Sequence, residues 1–203
     1  MAIKPILFNT EMVRAILDGR KDATRRIVKG FIPDDAVWGY TAFTPKGYIS
    51  CRGTFADGYG EKFFKLPCEP GDTLYVRETW YKSPLRYMYR ANYSNTEQFY
   101  TDGKEVNIKW RPSIHMPKEA ARIWLRVTDV RVERLQEITL EQICREGVEI
   151  EYPYVLNGEE KIYAFSNLWN STIKKADLDC YGWDANPWVW VIEFERCEKP
   201  EGV

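Results

Sequence analysis

Hydrophobic and polar positions along the chain alternate between two spacings, and each spacing predicts an element. Ile3 to Phe8 is a short apolar run that reads as a first strand. Met12, Val13, Ala15, Ile16 and Leu17 then fall at helical spacing, with Thr10 as N-cap, Glu11 in the first turn and Gly19 as the stop. Arg14 and Asp18, four apart, are placed to pair on the wet face of that helix. From Val37 to Phe64 aromatic and polar residues alternate between glycines, a pattern for β-hairpins joined by turns such as Pro45-Lys46-Gly47.

Pro67-Cys68-Glu69-Pro70-Gly71-Asp72 is a turn, and Thr73 to Trp80 a strand with Leu74, Val76, Glu78 and Trp80 on one side. A carboxylate in line with Leu, Val and Trp breaks the core pattern. Either Glu78 meets water at the strand end, or it points into a pocket and is hydrogen-bonded there. Residues 81–109 are Tyr-rich and poorly periodic, with Asn92 to Asp102 resembling a loop; Trp110 to Pro117 is a segment stiffened by two prolines. Lys118 to Arg122 reads as a helical turn. Ile123 to Leu135 is the longest strand, and its apolar phase shifts near Thr128-Asp129, which predicts a bulge. Thr139 to Gly147 is a helix with a capping-box start and a glycine stop, and Glu146 in its last turn sits where the helix dipole disfavours it. After a polar stretch from Glu149 to Lys161, Ala164 to Ile173 forms an amphipathic helix carrying Phe165, Leu168 and Trp169. Asp184 to Pro187 is a turn, and Trp188 to Phe194 a nearly continuous apolar strand, the kind buried on both faces.

Composition narrows the picture. The 203 residues suit one domain, with insertions at about 31–66 and 81–112. Net charge is -1, so any nucleic-acid contact must be a local patch rather than a global field. The N-terminal stretch supplies one: Lys4, Arg14, Arg20, Lys21, Arg25, Arg26 and Lys29 outnumber Glu11, Asp18 and Asp22. Aromatic content of 15% suits either a β core or a groove that stacks planar ligands. Five scattered cysteines and one histidine offer no metal-ligand spacing, so no metal or other cofactor is expected and the thiols read as reduced. No signal peptide or membrane-length apolar run is legible, which makes a soluble cytoplasmic protein the expectation.

The candidate chemistry concentrates in Gly19-Arg20-Lys21-Asp22-Ala23-Thr24-Arg25-Arg26, expected to be a cationic loop delivered by the first helix. Together with Pro-Gly-Asp-x-Leu-x-Val-Arg-Glu-Thr-Trp at 70–80 and the Glu146-Gly147 helix end, it resembles the ASCH-domain family, most closely the longer members common in bacteriophages and prophages. The resemblance implies a PUA-like α+β fold, a small mixed β-barrel with flanking helices. Some compact ASCH proteins remove the acyl group from N4-acetylcytidine and related N4-acylcytidines with a Lys, a Thr and a Glu. By motif these fall on Lys21, Thr24 and Glu146. Other members of the superfamily bind RNA, and some are linked to RNA cleavage.

The residues themselves make such chemistry coherent. Thr24 can act as nucleophile, and Lys21 as its base if its pKa falls toward neutrality. Glu146 can orient the lysine or protonate the leaving amine. Lys21 and Thr24 would lie on opposite faces of a regular strand, so a turn or bulge is required between them. Arg26 or loop N–H groups can hold the oxyanion. The expected substrate-binding set is Arg20, Arg26, Glu78, Trp80, Trp110, Ser113 and His115, with Trp80 or Trp110 stacking on a pyrimidine and Glu78 or Ser113 reading its edge. The alternatives are a non-catalytic RNA- or modified-nucleotide-binding module that uses the same cations as a phosphate grip, and a ribonuclease.

Overall fold

The computed structural model describes residues 1–94, 96–101, 104–148 and 158–202. Its elements are β1 (Ile3–Leu7), α1 (Thr10–Leu17), β2 (Ala23–Ile27), β3 (Val37–Gly39), β4 (Tyr48–Phe55), β5 (Gly58–Lys65), β6 (Thr73–Arg77), β7 (Trp80–Lys82), β8 (Tyr87–Tyr89), β9 (Phe99–Thr101), β10 (Lys104–Val106), β11 (Trp124–Arg134), α2 (Leu140–Arg145), α3 (Glu159–Thr172), α4 (Leu178–Tyr181) and β12 (Trp188–Cys197). The main sheet has the order β1-β6-β11-β12-β2, with β1 parallel to β6 and every other neighbour antiparallel. This is a mixed α+β architecture. The expected polar stretch from Glu149 to Lys161 lies outside the described residues up to Asn157, as do Asn95, Asp102 and Gly103 of the expected loop.

The expected barrel does not close, and the backbone explains why. Thr73 N–H donates to Ala2 O and Phe8 N–H to Arg77 O, so even positions of β1 face β6. Ile3, Pro5 and Leu7 therefore turn their backbone outward. Pro5 has no N–H to give, and a proline on an edge prevents a continuous ladder there. Instead a side chain spans the gap between β1 and β2: Arg26 Nη2 donates to Leu7 O at 3.0 Å. That gap is the seam of the sheet.

Strand β12 is buried on both faces, as its apolar run predicts. Trp190, Ile192 and Phe194 join α1 and β6 residues in one core, while Val189 and Val191 meet Ile143, Phe165 and Trp169 in a second core under α2 and α3. The β11–β12 register shifts between Val127 and Asp129, where the phase change predicts the bulge. The region 31–66 is more than an appendage: β3-β4-β5 forms its own sheet. Its Trp38 ring lies 5.1 Å from Phe64 and packs on Trp188 and Trp190. Trp190, Phe8, Phe55 and Phe194 are buried, whereas Phe31, Tyr40, Phe43 and Tyr59 are exposed, so the aromatics are divided between core and surface.

Several elements differ from expectation, among them β9, which falls within the expected loop from Asn92 to Asp102. The Thr73-to-Trp80 strand breaks after Arg77, because Glu78 turns inward and the chain leaves the sheet to pair β7 with β8. Helix α3 starts at Glu159, five residues early, because its first turn is polar and hides the amphipathic pattern. No helix among the described residues is long and apolar enough to cross a membrane.

The buried carboxylate Asp72 ties the N-terminus to β6. It accepts from Ala2 N–H at 2.7 Å and Glu69 N–H at 3.2 Å, and pairs with Lys4 at 3.1 Å. Burial alone raises its pKa, but these partners outweigh burial and leave it below the ordinary carboxylate value. With a depressed folded pKa, its stabilisation is complete above the unfolded value of about 3.9 and is lost as pH falls through the folded one. Asp72→Asn is expected to flatten the acid limb of stability below about pH 4, measured by urea unfolding across pH.

Candidate active site in the sheet seam

Helix α1 begins one residue earlier than its pattern implies: Asn9, not Thr10, is the N-cap and accepts from Met12 N–H at 2.8 Å. Arg14 pairs with Glu11 rather than Asp18, and Asp18 instead pairs with Arg20. Beyond Gly19 the expected loop resolves into three parts. Lys21 forms an isolated antiparallel bridge with Glu146, Asp22 belongs to no strand, and β2 starts at Ala23. The break at Asp22 lies where a regular strand would have separated Lys21 from Thr24.

Lys21 points inward, its side chain 0% exposed. Its ammonium donates to Glu146 Oε2 at 2.7 Å, Glu146 O at 2.9 Å and Ala23 O at 2.7 Å, one acceptor for each hydrogen. Burial pushes the Lys21 pKa below its ordinary range; Glu146 pulls it up, and Arg26 and Arg25 push it down. Glu146 is the C-cap of α2, and its other oxygen accepts from Arg25 Nη1 at 3.1 Å. Two cations thus offset the unfavourable helix-dipole position. Arg25 also reaches Glu133 on β11 at 3.2 Å and Gln142 of the capping box at 3.1 Å, tying three elements together.

Thr24 is fully buried and faces the other side of β2. Its Oγ1 accepts from Arg26 Nη1 at 2.7 Å, and the same nitrogen donates to Arg25 O at 2.9 Å. The Arg26 guanidinium lies over the Phe8 ring at 5.2 Å. Burial draws its pKa down, with Glu146 opposing, yet a guanidinium stays charged at neutral pH.

Thr24, Arg25, Arg26 and Glu146 line a cavity of about 310 Å³ at the seam, with Lys21 behind Glu146 rather than in the lining. Thr24, Arg26 and Glu146 form its polar end. Leu7 and Met12 wall it from the β1 side, and Phe165, Leu168 and Trp169 from α3. Trp169 Nε1 donates to Tyr181 O at 2.8 Å, which fixes the indole against rotation.

The other expected binding residues lie elsewhere. Arg20 donates to Gly147 O and lines a shallow depression with Asp22, Cys144 and Arg145. Glu78 is buried but bonds both oxygens to Arg122, at 2.8 and 3.0 Å, among Tyr89 and Met116. Trp80 packs with Met116 and Ala120, and Trp110 lines a separate cavity with Arg90 and Phe99. Ser113 and His115 sit in a 3₁₀ turn, His115 exposed. The cationic stretch therefore presents no single patch: Lys21 and Arg25 point inward, and Arg20 and Arg26 line different cavities. Sequence reasoning missed the wall on α3, whose i, i+3, i+4 spacing reads equally as core. It also gave no site role to Arg25, whose guanidinium holds Glu146.

Gly147 sets how closely α2 approaches Lys21. Its φ is +79°, and a Cβ there would lie 2.6 Å from Ala15 Cβ and 3.0 Å from Lys21 Cβ. Gly147→Ala is expected to cost about 2–4 kcal/mol in denaturant unfolding, combining left-handed strain with overpacking.

Compared with protein-family models, curated proteins and solved structures, the chain matches none.

Proposed function

We propose that the protein is a PUA-like, ASCH-type amidohydrolase that removes the acyl group from an N4-acylated cytidine or a related modified nucleoside. The observation that carries this assignment is the convergence of Thr24, Arg26 and Glu146 on one seam cavity, from residues more than a hundred positions apart, with Lys21 held behind Glu146 by their hydrogen bond. The motifs at 19–26, 70–80 and 146–147 support the family. The Glu146 carboxylate at 2.7 Å holds the Lys21 pKa up, but burial outweighs it and leaves Lys21 below its ordinary range, as a base requires.

In the reaction, Lys21, its pKa lowered by burial, acts in its neutral form, and the amine takes the hydroxyl proton of Thr24. Oγ1 attacks the acyl carbon, its developing charge stabilised by the Arg26 hydrogen bond. Collapse breaks the C–N bond, Lys21 returns the proton to the departing N4 amine, and water hydrolyses the acyl-threonine by the same route. The cavity matches about ten water molecules at ~30 Å³ each, a space suited to a pyrimidine base with its acyl substituent rather than a polymer.

The phosphate-grip alternative has less support, because the side chains of Lys21 and Arg25 are 0% and 1% exposed and spent on Glu146. Purified protein incubated with N4-acetylcytidine is expected to release cytidine; no release from this or bulkier N4-acyl nucleosides would end the amidohydrolase assignment. Because the base must be neutral, kcat/KM is expected to rise with pH and level off below the ordinary lysine range of about 10.4. A profile flat from pH 5 to 10 would remove Lys21 from the role of base.

A further inference from the structure

The seam leaves one edge of β2 without a partner strand, and the hydrogen bonds show which groups that edge displays. Phe194 N–H donates to Asp22 O and Val28 N–H to Trp188 O, so the even positions from 22 to 28 form the hydrogen-bonded pairs with β12. Ala23, Arg25 and Ile27 must turn their backbone groups to the open edge. Two side-chain bonds agree with this parity: Lys21 Nζ binds Ala23 O, and Arg26 Nη1 binds Arg25 O.

The consequence is an asymmetric edge. Both carbonyls flanking Thr24 are occupied by the protein's own cations, whereas the N–H groups of the same residues point outward. An extended peptide adding to this edge would need donors and acceptors in alternation and would find acceptors already taken. A lone acceptor fits. Arg26 Nη1 binds Thr24 Oγ1 as well as Arg25 O, which brings the hydroxyl to this edge. Arg25 itself lines the cavity.

We propose that the backbone N–H of Arg25, the residue after Thr24, is the oxyanion-binding donor of the site. The proposal rests on the amidohydrolase assignment and adds a group to it. As the Thr24 Oγ1–carbon bond forms, the electron pair of the carbonyl π bond moves onto oxygen, and the Arg25 N–H donates to that oxygen. When the C–N bond breaks, the pair returns and the donor is released. The donor is fixed by β2–β12 pairing before substrate arrives, so it needs no reorganisation at the moment of reaction.

The test replaces this single N–H by an ester oxygen, placing the α-hydroxy analogue of arginine at position 25. Because the N–H makes no ladder bond, the only ladder bond affected is that of the Thr24 carbonyl, a weaker acceptor as an ester, and the melting temperature is expected to fall by no more than about 2–4 °C. With N4-acetylcytidine, kcat is expected to fall about a hundred- to a thousandfold with KM little changed. An unchanged kcat in the ester variant would overturn the oxyanion role and leave the amidohydrolase assignment standing. Absence of turnover in the unmodified protein would remove both. A second measurement is independent of the ester: on titration with acetate, the product carboxylate, the Arg25 amide proton is expected to move downfield in ¹H–¹⁵N spectra. Movement of other cavity amides without Arg25 would also overturn the proposal.

Discussion

Glu146→Ala is expected to destabilise the fold by about 3–5 kcal/mol, because it strips a buried ammonium of its only anionic partner among the described residues. In the native protein the Lys21 side chain is buried and donates to Glu146 Oε2, Glu146 O and Ala23 O. The variant keeps the two carbonyls and loses the charge. Arg25 loses a second bond but retains Glu133 and Gln142, so most of the cost falls on Lys21. Urea unfolding at fixed pH reads it as a shift in midpoint with constant slope. The companion Lys21→Met/Glu146→Leu variant is expected to recover most of the loss, since replacing a buried ion pair by apolar side chains is often close to neutral. That variant should fold and be catalytically dead. A single Glu146→Ala change costing under about 1 kcal/mol would mean that the pair is solvated rather than buried.

The same pair shows what the sequence could and could not disclose. Helix α2, its capping box and its glycine stop are legible because each rests on residues within four positions of one another. The β11 bulge is legible because a phase change needs only local alternation. That Glu146 sits at a disfavoured helix end is also local, and it flags the need for a cation. Which cation is not local: Lys21 lies 125 positions away, and Arg20, Lys21, Arg25 and Arg26 are equal candidates by composition. Strand parity decides it. With β2 starting at Ala23, Thr24 and Arg26 share one face while Arg25 takes the other. Moving the strand start by one residue would exchange them.

Trp80, Trp110, Ser113 and His115 lie away from the seam cavity for a related reason. Clustering of aromatic and polar residues along the chain says nothing of which cavity a segment faces. The barrel prediction failed on one atom. Pro5 sits in an apolar run that reads as a strand, and only the pairing of β1 with β6 reveals that its missing N–H faces the edge where closure would occur. The open seam, and with it the cavity, follows from that edge.

Thr24→Val is expected to lower kcat on an N4-acylcytidine by about a thousandfold or more, as loss of a nucleophile does when the remaining groups act through it. The substitution keeps the β-branched shape that β2 favours and removes the hydroxyl. Arg26 Nη1 loses one acceptor but keeps Arg25 O at 2.9 Å, so the cation stays anchored. Stability should change by no more than about 1–2 kcal/mol, the worth of one buried hydrogen bond. Binding of cytidine should persist, because the cavity walls on α1 and α3 are untouched. The pattern of a dead but folded, ligand-competent variant separates a nucleophile from a structural hydroxyl. If Thr24→Val retained turnover while Lys21→Met abolished it, the attacking group would be a water activated at the Lys21–Glu146 pair, and Thr24 would serve only to seat Arg26. If neither variant altered ligand affinity except through salt, the cavity would be a binding site whose cations do the holding. Weighing against that last outcome is the arrangement itself: a phosphate grip needs exposed charge, and here Lys21 and Arg25 are buried to hold one carboxylate beside one hydroxyl.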